Sequence, residues 1–191
     1  KSLDGNLAIL KNQFRDCDDI VFQNVTIASG DSACIIYAGG LIDADLVQRD
    51  IIPVLLSVKQ EQLKKPDAIF PAVRMVSEYT LENTVDMIMK SNTIILVDGI
   101  NFSLCFSLRN NESRDFKEPE IERVIKGQHD GFVELIAKNI SLIRRRVPSP
   151  KLKIKIRNVG QRSKTEIAIL YMEDIANPDI VKILEDRINN I

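Results

Sequence analysis

Three consecutive arginines, Arg144-Arg145-Arg146, and three acids on alternate positions, Glu118, Glu120 and Glu122, are the side chains of this sequence best suited to specific chemistry. An arginine fork holds a carboxylate through two parallel hydrogen bonds, a geometry that lysine does not offer. On a helix, successive residues diverge by about 100°, so the three guanidinium groups cannot share one direction. At least one is expected to turn toward Glu118, Glu120 and Glu122 and clamp two parts of the chain at a fixed angle. In the last turn of a helix the same cations also complement the negative end of the dipole, at about 0.3–1 kcal/mol each. A phosphate or a lipid head group is the third partner they suit.

The run Gly127-Gln128-His129-Asp130-Gly131 lies ahead of a helix start, where unpaired backbone N–H groups receive anions. Asp130 repels an anion and suits a helix cap, so the run reads either as a capped turn or as an anion or ligand loop. Gly39-Gly40 before Asp43 poses the same choice. His129 is the single histidine; a zinc site or an acid–base pair calls for Cys or a second His close by. There is no G-x-x-x-x-G-K phosphate loop and no G-x-S-x-G elbow. No catalytic residue, cofactor or metal is expected, and the chain does not read as an enzyme. Asp16, Asp18 and Asp19 lack the glycine and terminal glutamate of a calcium loop and read as a solvated turn between helix and strand.

The elements that carry these residues follow from hydrophobic period. Leu3, Leu7, Leu10 and Phe14 fall at helical spacing, and Ile20 to Ala28 and Ala33 to Ala38 flank Ser29-Gly30-Asp31 as a hairpin. Asp43 caps a helix striped by Leu46, Val47, Ile51 and Leu55, which Pro53 should distort. Val73 to Val76 is extended, and Thr80 caps a helix carrying Leu81, Val85 and Ile88. Thr93 to Val97 and Phe102 to Leu108 form a second hairpin, with Ser103, Cys105 and Ser107 on a face expected to be wet. Phe132, Leu135, Ile136, Ile140, Ile143 and Val147 predict a helix of about four turns. Leu152, Ile154 and Ile156 alternate with Lys153, Lys155 and Arg157 as a half-buried strand, the return strand carries Ile167, Ile169 and Tyr171, and Asn177-Pro178 start a last helix with Ile180, Val181, Leu184, Ile188 and Ile191.

With 26 basic and 27 acidic residues in 191, the chain has no whole-chain basic surplus with which to neutralise nucleic-acid phosphates. No apolar stretch approaches the roughly 20 residues of a membrane span. Cys17, Cys34 and Cys105 are widely spaced and odd in number, which reads as reduced core thiols. Arg109 to Glu120 is dominated by charge, so we expect two consecutive small α/β subdomains with mixed sheets: residues 1–110, a charged linker at 111–120, and residues 121–191 as a truncated second unit. Sliding the sequence by 134 positions superposes Ile35 on Ile169, Tyr37 on Tyr171, Asp43 on Asn177 and Val47 on Val181. A helix-hairpin-helix unit therefore occurs twice, and because the second copy stops early the natural protein is expected to run on.

The stretch Glu118-Pro119-Glu120-Ile121-Glu122-Arg123-Val124-Ile125-Lys126-Gly127, then Asp130-Gly131-Phe132-Val133-Glu134, Asn139, Leu142-Ile143-Arg144-Arg145-Arg146, Gly160, Lys164-Thr165, Tyr171 and Ile175-Ala176-Asn177-Pro178, resembles the GerA family of spore-germination receptor A subunits. The resemblance implies the cytosolic N-terminal domain of a subunit whose continuation is embedded in the spore inner membrane, facing the spore core. It implies B and C subunits as partners, with the nutrient held by B, and homo-oligomerisation of the full A subunit as an ion channel. The domain would then couple or scaffold, in signal transduction rather than catalysis. The alternative is a module that binds a germinant or anion in a cleft between the two subdomains. At Gln128-His129 the sequence departs from the family's Pro-Arg, which removes a rigid residue and a fixed charge from that loop.

Overall fold

The computed structural model describes residues 2–70, 74–108 and 131–189. The charged run 111–120, with Glu118, Glu120 and Glu122, lies outside the described residues, as do Gly127, Gln128, His129 and Asp130.

Ser2 starts the first helix, α1 (Leu3–Gln13), by accepting a hydrogen bond from the Gly5 N–H, and the Leu3, Leu7, Leu10 stripe buries one face. The expected hairpin follows as β1 (Ile20–Thr26) and β2 (Ser32–Ala38), antiparallel from Ile20↔Ala38 to Thr26↔Ser32. Asp43 caps the next helix through Oδ1, which accepts from the N–H groups of Asp45 and Leu46. Pro53 has the predicted effect. The chain runs as α2 (Ala44–Leu46), a wider π turn over Val47–Ile51, and α3 (Ile52–Ser57). In that turn Ile52 donates to the carbonyl of Val47, one residue further back than in an α-helix, so the ladder widens where a proline cannot donate.

After α4 (Gln60–Leu63) come β3 (Met75–Glu78), α5 (Leu81–Met89) with Thr80 capping Asn83, and the second hairpin, β4 (Thr93–Val97) and β5 (Ser103–Phe106). The five strands form one sheet in the order β1-β2-β4-β5-β3. Its pairings are antiparallel throughout, which corrects the expectation of a mixed sheet: the hairpins β1–β2 and β4–β5 are antiparallel by construction, and β2–β4 and β3–β5 join in the same sense.

The five-stranded sheet is covered on both faces. Leu7 and Leu10 of α1 and Val85 and Ile88 of α5 pack on Cys34, Ile36, Ile94 and Cys105. Val47, Ile51 and Leu55 pack on the opposite face against Ile35, Ile95, Leu104 and Phe106. The face of β5 expected to be wet is therefore buried, with Ser103 and Cys105 each 2% exposed. Alternation in β5 reflects small residues under α5, where the Ser103 hydroxyl lies 2.8 Å from that of Thr84.

The later residues form α6 (Ile136–Arg146), β6 (Leu152–Val159), β7 (Thr165–Met172) and α7 (Pro178–Asn189). The order matches α1-β1-β2-α2, with Asn177 accepting from the Asp179 N–H where Asp43 caps its own helix. α6 is shorter than its apolar period predicts: Phe132 and Leu135 precede it and are 71% and 61% exposed. Asn139 explains where the chain turns, since its side-chain amide accepts from the Val133 N–H and donates to the Val133 carbonyl, holding that residue outside the helix. β6 and β7 pair antiparallel over eight residues each, and Ile140 of α6 packs on Leu152 and Ile154. No described helix is long and apolar enough to cross a membrane.

Candidate functional site

The earlier and later residues meet at Asp16 to Asp19, the turn between α1 and β1. Asp16 adopts the left-handed region, φ 62°, where aspartate is among the few side chains tolerated. This reverses the chain and lays Asp16-Cys17-Asp18 along the edge of β6. Cys17 forms a parallel bridge with Ile154. Ile154 donates to the Asp16 carbonyl at 2.9 Å, and Asp18 donates to the Ile154 carbonyl at 2.8 Å. The Asp18 carboxylate extends the ladder by one step, with Oδ2 accepting from the Ile156 N–H at 2.8 Å. A short extended segment of the first half thus completes one edge of the second sheet, in the manner of strand addition.

Arg144 locks the joint. Its Nε and Nη2 donate to Oδ2 and Oδ1 of Asp19, each at 2.8 Å, and its Nη1 donates to the Ser149 carbonyl at 2.8 Å. Arg144 is 1% exposed and Asp19 is 7% exposed. A buried ion pair of this kind survives only when both partners are fully engaged, because each charge has given up its water. The Asp19 carbonyl in turn accepts from the Gly39 N–H at 2.7 Å. At Gly40, φ +74°, the backbone passes so close to α6 that a Cβ would meet the Ser141 hydroxyl. Only glycine satisfies both the angle and the approach.

Three cations of β6 finish the seam. Lys153, 2% exposed, donates from Nζ to the Gln13 carbonyl at 3.1 Å and pairs with Glu173 at 3.3 Å. Lys155 pairs with Glu185 of α7 at 2.8 Å and lies 3.6 Å from Asp16. Arg157 reaches Asp18 at 3.1 Å. Between them, burial pushes the Cys17 thiol up from its ordinary value, against the opposing pull of Lys153 and Arg144. Cys17, Cys34 and Cys105 are all buried and free.

Of the predicted site residues, the structure brings Arg144 into a bidentate carboxylate pair, but with Asp19. Asp19 was expected in a solvated turn, and its burial corrects that reading. Arg145 and Arg146 stay on the exposed side of α6, and Gly131 is exposed, with no described atom within 4 Å of where a Cβ would stand. Spacing alone hid the partner because 125 residues separate Asp19 from Arg144. The available signal was complementarity: three acids on one short turn, and a strand with a cation at every second position. Among the described residues no group of acids, cysteines or histidine is placed to hold a metal ion.

The family model described as Bacillus/Clostridium GerA spore germination protein matches residues 8–191. Stage V sporulation protein AF of Bacillus subtilis (strain 168) is 41% identical over 112 residues, covering 59% of this chain and 23% of that protein. Spore germination protein B1 of the same strain is 31% identical over 196 residues, 99% of this chain and 40% of that protein. The chain thus spans less than half the length of these relatives. Its fold matches the crystal structure of the N-terminal domain of the A subunit of the Bacillus megaterium spore germinant receptor GerK3, with a TM-score of 0.78 and 23% identity, over 100% of this chain and 72% of that one.

Proposed function

The chain belongs to the GerA spore germination family, and from that premise we propose that it is the coupling module of a nutrient germinant receptor A subunit. It stands on the cytoplasmic, spore-core face of the inner membrane, works with B and C subunits, and helps assemble the full A subunit into its oligomer. Its role is to pass on the state of the receptor to assembly or ion release, by holding one geometry rather than by turnover.

The observation that carries this reading is the seam. A module that relays mechanical state needs its two parts joined stiffly, and backbone pairing at Ile154 together with the buried Arg144–Asp19 pair provides that stiffness. In this reading residues 1–110 and 121–191 are two α/β units joined through 111–120, with Glu118, Glu120 and Glu122 as further partners for exposed arginines of α6. A cleft that opens between the units around a ligand is less well supported, because strand pairing and a buried ion pair fill the place where they meet.

The test is nutrient-triggered germination of spores whose full-length A subunit carries Arg144→Leu, Asp19→Leu, or the exchanged pair Asp19→Arg with Arg144→Asp. The expected result is a lost response in each single variant at normal subunit abundance, with partial recovery in the exchanged pair. An undiminished response from a single variant, when solution scattering shows its domain to be loosened, would refute the coupling role.

A further inference from the structure

Away from the seam, a cleft of about 330 Å³ opens between the start of α1, the β3–α5 turn and the β4–β5 turn. Its floor is closed by the Thr84 and Ser103 hydroxyls, which bond each other at 2.8 Å while Thr84 also reaches the Thr80 carbonyl. Those groups are spent on the fold. What remains for a ligand is one carboxylate, Glu78, two side-chain amides, Asn6 and Asn101, and two aromatic rings, Tyr79 and Phe102, whose centroids lie 5.6 Å apart.

Two features of this set decide the ligand class. Among the described residues no lysine, arginine or histidine lines the cleft, and the Glu78 carboxylate accepts a neutral amide hydrogen through Oε2, from Asn83 at 3.1 Å. Tyr79 is 69% exposed although it is aromatic, and its ring leans on Phe102 beside that carboxylate. A carboxylate, two amide oxygens and the faces of two rings are complementary to an organic cation. The ammonium supplies three donors for the oxygens, and the attached carbon body covers the rings with a cation–π contribution. The volume suits a molecule of small-metabolite size.

We propose that this cleft is a binding site for a small primary ammonium compound, with Glu78 as the charge partner and Tyr79 and Phe102 as the apolar wall. The site lies wholly within residues 3–103 and does not depend on the coupling role assigned to the seam.

The experiment titrates the isotopically labelled 191-residue chain with benzylammonium and, separately, with benzyl alcohol, which has the same shape without the charge, following backbone amide signals at neutral pH. Benzylammonium is expected to give saturable shifts centred on residues 78–81 and 100–103. Binding should weaken at least tenfold for benzyl alcohol and for Glu78→Gln, which keeps an oxygen for Asn83. Tyr79→Ala, at an exposed position, should weaken it severalfold, and the dispersion of the same spectra shows whether each variant is folded. No saturation, equal shifts with the alcohol, shifts centred elsewhere, or undiminished binding in folded Glu78→Gln would each overturn the proposal.

Discussion

The two helix-hairpin-helix segments share an order of elements but not a degree of burial. In the first, β2 lies between β1 and β4, and six of its seven residues are buried. In the second, β7 pairs only with β6 among the described strands, and α7 has no buried residue, with Ile180 64% and Ile183 52% exposed. The first unit is held by apolar area on both faces of a five-stranded sheet. Among its described residues the second has one small apolar cluster around Ile140, Leu152 and Ile154, and a two-stranded hairpin is marginal by itself. Similar local sequences therefore reach unequal burial, and the later residues are expected to lean on the earlier ones through the seam.

The strongest way to break that dependence is at Arg144 or Asp19. Changing either to Ala leaves the other charge buried and alone, which costs about 3–5 kcal/mol. Denaturant unfolding should show the loss, and hydrogen exchange should show it concentrated in α6, β6 and β7, with β2 and β4 still protected. Replacing both, Arg144→Met with Asp19→Leu, should recover most of it, because no unpaired charge remains. A single variant losing less than about 1 kcal/mol would mean that the later residues stand without the pair. A smaller effect is expected at the Gly40 turn. Gly40→Ala forces an alanine to φ +74°, at roughly 1–2 kcal/mol, and also drives its Cβ into Ser141. Adding Ser141→Ala should relieve the collision and leave the backbone strain, so the double variant should be more stable than Gly40→Ala alone.

Much of the first unit is legible in sequence because its signals are local. Asp43 and Thr80 cap helices where the rules place them, Pro53 distorts the helix it interrupts, and both hairpins flank their turn residues. What sequence does not convey is what covers a face. Ser103 and Cys105 look like the wet side of a strand until α5 is laid over them. The same holds for the site. An arginine clamp follows from the chemistry of Arg144, but which of three neighbouring arginines turns inward, and that Asp19 meets it, depends on the left-handed Asp16 and on a β6 edge that only the folded chain creates. Phe132 and Leu135 extend an apolar period that Asn139 interrupts with two hydrogen bonds, and no count of spacing reveals that.

The two units should also differ in how they respond to pH. Burial in the five-stranded core pushes the Cys34 thiol up from 9.0 to about 11, and burial does the same to Cys105. A folded value above the unfolded one means that the unfolded chain loses its protons first. The contribution of these thiols is complete below about pH 9, falls as pH rises, and is gone above about pH 11. Unfolding measured across that window should show a steady loss that Cys34→Ala and Cys105→Ala each flatten, after allowance for the cavity. At the exposed margin of the second unit the sign reverses and the size shrinks. A hydrogen bond from Lys151 at 3.0 Å holds the Asp174 carboxyl below its ordinary 3.8. A depressed carboxyl stabilises above its unfolded value and loses that contribution as pH falls through the folded one. Both partners are largely in water, 57% and 44% exposed, so solvent screens the pair. Lys151→Ala should therefore raise the Asp174 midpoint in a carbon-detected titration while leaving the melting temperature unchanged. A fall in melting temperature like that of the Arg144 variants would show that this surface pair holds the later residues in place as much as the buried pair does.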